Sequence, residues 1–305
     1  VPRVTDTFVR DVAVSGGLVF LDVFAQFGPT PDDDVYAFDA LTGDLRYQTT
    51  RTPDLEILPA DGAIYERSSD FVSGTRIDTV VSRNPATGLI DWTKMYVGIT
   101  GNLAVDRASI YRTEDRDLAI YHRNDGSVDH RLVGDPNLAD DASALGGVVS
   151  LTSLGEAVTL SLGRVSLFDL QVDALRWSNA HSTDFPVVAP AVANGKIFLC
   201  DTGGIVTWID HASGEKSTVS KFVGAANAPI CLSLLATRNL LFASGPFQTV
   251  ALDINNDLNQ LWSYDATSII AIAPEGVLLV GEAGFDFVGR NRRDLTKIVA
   301  YKVAD

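Results

Sequence analysis

The sequence predicts an all-β fold built from repeated four-stranded units, and three observations support this prediction. A phrase recurs about every 40 to 45 residues, most clearly at 37–47, where it reads AFDALTGDLRY. Short alternating stretches separated by Gly turns precede the copies. No segment shows a sustained helical period or a capping signal ahead of one. A repeat of this length is typical of stacked or radial supersecondary units.

The repeated phrase predicts a hairpin. In its first copy, residues 35–38 alternate as a strand with one buried face does. Asp39 can accept hydrogen bonds from amides of the following turn, and Gly43 supplies the backbone conformation that closes it. Tyr47 then lies on the returning strand and offers apolar area to a neighbour. Each copy therefore predicts the third and fourth strands of a unit.

The stretches ahead of the hairpins predict the first and second strands. Residues 12–20 are typical of a strand, a Gly turn and a second strand. Residues 190–199 repeat this plan around Asn194 and Gly195, a strong hairpin signal, and residues 271–280 are another copy.

The number of units predicts a seven-bladed β-propeller of four-stranded blades, formed by residues 1–305 as a single domain. Six hairpin regions can be counted, and they centre near Gly43, Gly88, Gly126, Asp173, Gly214 and Asp257. A seventh unit begins at Val299. We expect the extended segment Val1–Phe8 to supply the outer strand of the last blade and so close the ring.

The pattern Ala-x-Asp-x-x-Thr-Gly-x-x-x-Trp resembles the tryptophan-docking repeat of the PQQ-like, quinoprotein-type β-propellers. The resemblance covers essentially the whole chain and is clearest in units 1, 2 and 4. The docking position is held in chain order by Tyr47, Trp92, His130, Trp177, Thr218 and Trp262, the last displaced by one residue. Unit 3 departs most from the pattern, with His122, Asp125 and His130 at the Asp, Thr and Trp positions.

The resemblance does not extend to the quinone cofactor. Quinoprotein dehydrogenases use two adjacent cysteines and a Ca²⁺-bound quinone, whereas Cys200 and Cys231 are far apart in this sequence. We therefore expect no cofactor. Both thiols are expected to be buried and free, with a disulfide as the alternative. Similar propellers are mostly periplasmic or extracellular, so the resemblance implies an extracytoplasmic protein.

Composition narrows the classes of partner. The formal net charge is −15, which argues against nucleic acid because phosphate binding needs concentrated positive charge. No run of about 18 apolar residues is present, so no membrane-spanning segment is predicted. We expect a monomer that binds a protein partner or a small molecule.

Few residues are candidates for catalysis. His181 and Asp184 lie in the connection from unit 4 to unit 5 and can act as a base and the group that orients it. A solvated polar loop is the alternative. His122, His130 and His211 fall at hairpin positions and are expected to be structural. The run 32–34 of three Asp lacks the spacing of a calcium loop, so no metal site is predicted.

Three connections between second and third strands are long. They lie at 24–34, 67–78 and 282–297, in units that become neighbours once a ring forms. Long loops on a rigid scaffold often bind ligands. We predict that their aromatic and basic side chains form a binding wall: Phe24, Phe27, Phe71, Arg76, Phe285, Phe287, Arg290, Arg292 and Arg293. The alternative is that these arginines pair with nearby aspartates and tie the loops together.

Two classes of function follow. By resemblance, propellers of this kind include scaffold lipoproteins of outer-membrane assembly and sensor regions of bacterial receptor kinases. We predict a non-catalytic binding propeller that uses the face formed by the inter-blade loops and the three long connections. The alternative is an enzyme in the central funnel, a lyase, isomerase or cyclase acting on an apolar or carboxylated small molecule through His181 and Asp184.

Overall fold

The computed structural model describes residues 7–25, 33–51, 56–60, 63–73, 75–97, 102–114, 116–136, 147–161, 163–181, 188–201, 203–223, 231, 233–245, 248–265, 267–273, 277–283 and 297–302. Every regular element in these ranges is a β-strand, as the sequence predicted. No helix in them is long and apolar enough to cross a membrane.

The strands in these ranges form seven antiparallel sheets, each following chain order. Blade 1 consists of β1 (Thr7–Ser15), β2 (Leu18–Ala25), β3 (Asp33–Asp39) and β4 (Leu45–Arg51). Blade 2 consists of β5 (Glu56–Ala60), β6 (Ala63–Val72), β7 (Thr75–Arg83) and β8 (Ile90–Val97). Blade 3 consists of β9 (Leu103–Val105), β10 (Ser109–Glu114), β11 (Asp117–His122) and β12 (Val128–Leu132). Blade 4 consists of β13 (Val148–Leu151), β14 (Glu156–Ser161), β15 (Arg164–Asp169) and β16 (Ala174–Ala180).

The later sheets follow the same plan up to the last. Blade 5 consists of β17 (Ala191–Ala193), β18 (Lys196–Cys200), β19 (Ile205–Asp210) and β20 (Lys216–Phe222). Blade 6 consists of β21 (Ser233–Ala236), β22 (Leu240–Ser244), β23 (Thr249–Asp253) and β24 (Asn259–Tyr264). The last sheet has three strands, β25 (Thr267–Ala273), β26 (Val277–Ala283) and β27 (Lys297–Lys302).

The prediction of seven four-stranded blades closed by the N-terminal strand is wrong. The described strands form six four-stranded blades and a three-stranded sheet, and none of them pairs with the outer edge of β27. Part of the segment predicted to close the ring belongs to blade 1 instead, because Thr7 and Phe8 pair with Ala25 and Phe24 in the β1–β2 ladder. The rest of that segment, residues 1–6, lies outside the described residues.

Packing, rather than strand pairing, brings the three-stranded sheet against blade 1. The first strands of most neighbouring sheets lie next to each other, and β1 lies against both β5 and β25. Between blades 4 and 5, the Ser150 hydroxyl donates to the Pro190 carbonyl over 2.6 Å. The sheet order along the chain is therefore also the order of neighbours in space.

The hydrophobic core lies between neighbouring sheets. Ile64 of blade 2 packs with Phe20 and Val35 of blade 1. The same arrangement joins the other neighbours up to the three-stranded sheet, where Ile270 and Val280 pack with blade 6. Because both faces of an inner sheet are covered, its strands are apolar on both faces.

The hairpins between third and fourth strands are built as predicted. In blade 1, the Asp39 carboxylate accepts hydrogen bonds from the amides of Leu41 and Thr42 over 2.9 and 3.0 Å. Gly43 has φ of +74°, and its amide donates to the Asp39 carbonyl over 2.9 Å. A β-bulge follows in all six blades, as expected for a turn closed by a left-handed residue.

Aromatic side chains join one blade to the turn of the next. A Cβ atom added at Gly126 of blade 3 would lie 3.0 Å from the Trp92 ring of blade 2. The corresponding distance from Gly214 to Trp177 is 2.8 Å, and Tyr47 covers Gly88 at 2.9 Å. We call each such contact an aromatic dock. Only glycine allows the ring to approach this closely.

The two blades that lack the aromatic use other contacts. His130 Nε2 lies 3.3 Å from the carboxylate of Asp173, which replaces the turn glycine of blade 4 at φ of +53°. Blade 5 has Thr218 at the docking position, and the turn of blade 6 has Asp257 and Leu258 at positive φ. Leu258 is buried in the core between these blades. Each departure in one blade therefore accompanies a changed turn in the next.

Cys200 and Cys231 are buried and free between blades 5 and 6. A hydrogen bond with the Cys231 thiol, together with burial, raises the pKa of Cys200. Neither cysteine is adjacent to another in the chain, so their placement does not fit the cysteine pair of a quinone site.

Candidate functional site

One face of the ring carries the connections between second and third strands and those between blades. In an antiparallel unit of four strands, the second strand ends and the fourth ends on the same side. We call this side the funnel face. His181 and the described ends of the three predicted connections lie on it.

The prediction of a long loop at 67–78 is wrong, because the described residues of this segment form the end of a β-hairpin. The strands β6 and β7 remain paired as far as Val72 and Thr75. Among the described residues, the pairing with the neighbouring strands ends earlier, at Arg67 with Glu56 of β5 and at Ile77 with Val97 of β8. Residues 68–73 and 75–76 therefore extend past the described strands on either side, and we call them the projecting hairpin. Val, Phe and Thr in this segment favour strand over loop.

The structure brings two of the predicted wall residues together. Phe71 and Arg76 are opposite each other in the register of the projecting hairpin. Phe24 lies near the end of β2, opposite Asp33. Blade 1 separates blade 2 from the three-stranded sheet and contacts both through β1, so the three sheets with long connections are neighbours.

The remaining wall residues lie outside the described part of the chain. They are Phe27, Phe285, Phe287, Arg290, Arg292 and Arg293. The ends of the connection that carries the last five are described, because Glu282 pairs with Lys297. This connection therefore leaves and re-enters the sheet at the funnel face, and the wall itself stays a prediction.

His181 follows the last strand of blade 4 on the funnel face. Its amide donates to the Gly163 carbonyl over 2.7 Å, which ties it to the connection between β14 and β15 of its own blade. Both ring nitrogens are shielded from solvent. Asp184 lies outside the described residues, so the acid–base pair stays a prediction.

The other three histidines make contacts with acidic side chains. His211 Nε2 lies 2.7 Å from Glu156, a carboxylate that is buried between blades 4 and 5. His130 and His122 lie 3.2 and 3.6 Å from Asp129. Among the described residues, no three His, Cys, Asp or Glu side chains are placed to hold a metal ion. These contacts agree with the structural roles expected for the three histidines.

Sequence reasoning missed a group of charged and phenolic side chains between blades 2 and 3. We call it the blade 2–3 polar cluster, and it consists of Arg67, Asp78, Tyr96, Arg112, Glu114, Tyr121 and Arg131. Glu114 ends the second strand of blade 3, so the cluster reaches the funnel face. Arg67 and Asp78 lie at the base of the projecting hairpin, 3.9 Å apart.

Arg112 is the most buried member of the cluster, with 2% of its surface exposed. Its Nη2 lies 3.6 Å from Glu114, and its guanidinium lies 4.9 Å from the centre of the Tyr96 ring. Within the described residues, its Nε and Nη1 have no hydrogen-bond partner. A buried charge with so little compensation is costly for stability.

Glu114 holds the cluster together from blade 3. It lies 2.6 Å from Arg131 Nη2 and accepts a hydrogen bond from the Tyr121 hydroxyl. Burial raises the pKa of Tyr96 to about 12, and burial also raises the pKa of Tyr121. Both phenols therefore stay protonated, and Tyr96 donates to the Gly126 carbonyl over 3.0 Å.

The cluster offers a contact between blades more than it offers chemistry. Tyr96, opposite Asp78 in the β7–β8 register, contacts Arg112 and Tyr121 of blade 3. A sequence signal for it exists, because Arg112 and Glu114 alternate with Ile110 on the face of β10 that packs against blade 2. Charged residues at core-facing strand positions are uncommon.

The fold is similar to that of solved structures. BamB from Moraxella catarrhalis aligns with a TM-score of 0.59 and 13% identity over 89% of this chain and 90% of that protein. The chain has a β-propeller fold. The computationally designed Ika8 protein aligns with a TM-score of 0.58 and 11% identity over 91% of this propeller and 94% of the designed chain. No protein-family model and no curated protein sequence matches the propeller.

Proposed function

We propose that this propeller is a non-catalytic binding module that presents its funnel face to a protein partner or ligand. The projecting hairpin is the observation that supports this proposal most directly. It extends past the described strands on either side of it. At its base, Tyr96 is opposite Asp78 in the β7–β8 register and contacts Arg112 and Tyr121 of blade 3. A rigid element beyond the scaffold is suited to contact another molecule.

The chemistry of the face indicates what it binds. The projecting hairpin carries Phe71 opposite Arg76, and the neighbouring three-stranded sheet carries the basic connection with Arg290, Arg292 and Arg293. Arginine and aromatic side chains together favour a partner that combines carboxylates with apolar groups. The net charge of −15 makes three arginines within four residues unusual in this sequence. We also propose an extracytoplasmic location, in line with the repeat's resemblance.

Site-specific photo-crosslinking tests the proposal. Benzoylphenylalanine at position 71 places the probe on the projecting hairpin, and the same probe at Leu154, an exposed turn residue on the opposite face, is the control. In an extract of cells that naturally contain the protein, we expect a discrete adduct from position 71 and none from position 154. Equal labelling from both positions, or no adduct from either, would contradict a binding role for the funnel face.

Charge reversal tests the basic connection separately. Arg290→Glu, Arg292→Glu and Arg293→Glu together are expected to abolish the adduct formed from position 71. The matched control reverses three exposed basic residues outside the funnel face, Lys94, Lys216 and Arg238, with the same change in net charge. Loss of the adduct in both variants would show a general effect of charge rather than a site.

A further inference from the structure

The two cysteines of the chain lie in contact between blades 5 and 6. Cys200 is the last residue of β18, and Cys231 lies in the connection that leads into β21. Both side chains are fully buried in the same hydrophobic cluster. Their thiols are hydrogen-bonded to each other. The sequence contains no other cysteine.

Packing alone does not account for this contact. A fully buried residue touches about 6 to 12 others, so about one position in thirty of this 305-residue chain contacts Cys200. The cluster around the pair consists largely of aliphatic side chains, such as Val206, Leu234 and Leu241, which fill a core without sulfur. A bond between two sulfurs, in contrast, requires a cysteine at both positions.

The pair lies on the funnel side of the contact between the two blades. Second strands end on this side, and the connections between blades begin and end there, which places both Cys200 and Cys231 at the same end. On the opposite side, a polar contact joins the blades, because Lys196 Nζ donates to the Ile254 carbonyl over 2.6 Å. The cysteines are therefore a separate point of attachment.

The same two blades lack the aromatic dock that joins other neighbours. Trp92 and Trp177 each lie over the turn glycine of the following blade. The docking position of blade 5 has Thr218, which is exposed, and the turn of blade 6 has Asp257. Threonine offers much less apolar area than tryptophan. A covalent bond on the funnel side would strengthen a contact that has no docked ring.

We propose that Cys200 and Cys231 form a disulfide that joins blade 5 to blade 6 when the protein folds in an oxidising compartment. Such a bond is typical of extracytoplasmic proteins, so the proposal agrees with the location proposed above. It does not depend on what the funnel face binds, and it holds or fails independently of that function.

The oxidant is the disulfide of a second molecule, such as oxidised glutathione. One protein thiolate attacks this disulfide, forms a mixed disulfide and releases one glutathione thiolate. The second protein thiolate then attacks the protein sulfur of the mixed disulfide and releases the other glutathione thiolate. The protein loses two protons and two electrons, and one oxidised glutathione becomes two reduced molecules.

Burial determines when the bond forms. In the folded protein both thiols are shielded from solvent, and the raised pKa of Cys200 leaves little of the reactive thiolate. We therefore expect the bond to form while the chain folds and the thiols are still accessible. Oxidation of the folded, reduced protein is expected to be at least about tenfold slower.

Oxidative refolding tests the bond itself. The full chain is reduced in urea, separated from the reductant and refolded in a mixture of oxidised and reduced glutathione. We expect a monomer that is lighter than the reduced chain by the mass of two hydrogen atoms and has no maleimide-reactive thiol after unfolding. Two free thiols, glutathione bound to both cysteines, or a disulfide between two chains would each overturn the proposal.

Thermal unfolding tests whether the bond joins the blades. The disulfide closes a loop of about 30 residues, so the Tm of the oxidised protein is expected to be about 5 °C above that of the reduced protein. The control, Cys200→Ala with Cys231→Ala, is expected to have the same Tm with and without reductant. Equal Tm values for the oxidised and reduced forms of the unchanged protein would contradict a stabilising bond between the blades.

Single variants check the chemistry without removing both side chains. Cys231→Ala leaves the Cys200 thiol without its partner, and Cys200→Ala does the converse. After the same refolding, each is expected to carry one free thiol or one bound glutathione, because no second thiolate can displace it. A single variant that lost its thiol without binding glutathione would show a different oxidation and would contradict the proposed pairing.

Discussion

The turns at Gly126 and Gly43 are locally alike and differ in what covers them. Each glycine amide donates to the carbonyl four residues earlier over 2.9 Å, and each φ lies in the left-handed region, at +65° and +74°. Gly126 is buried under Trp92 and Tyr96, whereas Gly43 is exposed. The hairpin therefore folds from its own residues, and the docked ring serves the contact between blades.

The strongest test of this difference removes a docked ring. Trp92→Ala is expected to lower the free energy of unfolding by about 3 kcal/mol, because it opens a cavity and removes the bond to Arg123. Urea unfolding measures the change. Val97→Ala on the same strand is the control, since Val97 is exposed and its loss is expected to cost at most about 0.5 kcal/mol. Similar decreases in the free energy of unfolding for the two variants would show that the Trp92 ring does not stabilise the contact between blades.

A smaller effect compares the two glycines directly. Gly43→Ala is expected to cost about 1 kcal/mol, because alanine is strained at positive φ. Gly126→Ala carries the same strain, and its methyl group would also lie 3.0 Å from both Trp92 and the Tyr96 hydroxyl. We therefore expect it to cost at least about 2 kcal/mol. If urea unfolding gave the same decrease in unfolding free energy for both variants, Gly43 would be covered as closely as Gly126.

The altered dock between blades 3 and 4 offers a gain of stability. His130→Trp alone is expected to be neutral or destabilising, because Asp173 occupies the place where the ring would lie. Combined with Asp173→Gly, it restores the glycine and the ring together, and we expect the pair to be about 1 kcal/mol more stable than the two single changes predict. A double-mutant cycle by urea unfolding measures this coupling. Additive single effects would contradict the rule that glycine accompanies the aromatic.

The smallest expected effect is an acid dependence of the turns. A hydrogen bond from Arg46, with those from turn amides, lowers the pKa of Asp39, and a hydrogen bond from Arg176 lowers the pKa of Asp169. A carboxyl whose pKa is lower in the folded state stabilises the fold above its unfolded pKa of about 3.9, and this stabilisation is lost as pH falls below that value. We expect the unfolding free energy to decline below about pH 4 and less steeply in Asp39→Asn. If the unfolding free energy fell with pH equally steeply in Asp39→Asn and in the unchanged protein, the contribution of Asp39 would be contradicted.

The sequence predicted most of the fold because the repeat specifies local structure. Asp39, Gly43 and Tyr47 are enough to predict a hairpin, and the six turn positions all lie where the structure has them. The closure by Val1–Phe8 was wrong because strand pairing between distant segments leaves no local signal. Thr7 and Phe8 suit an outer strand and the first strand of blade 1 equally well.

The candidate site was harder to predict than the fold. Length alone indicated a loop at 67–78, but strand propensity continues through Phe71 and Val72, so the segment is a hairpin. The burial of Arg112 depends on Tyr96 of another blade, a contact between strands that no single stretch of sequence reveals. Residues that act together across blades are therefore found only from the arrangement of the blades.

Amide hydrogen exchange at two glycines tests the central claim most directly. The amides of Gly43 and Gly126 make the same local hydrogen bond, so their exchange rates compare only what lies above each turn. We expect the Gly43 amide to exchange at least about tenfold faster than the Gly126 amide in the native state, as measured by NMR. Equal protection of the two amides would contradict it, because a docked group would then already cover Gly43.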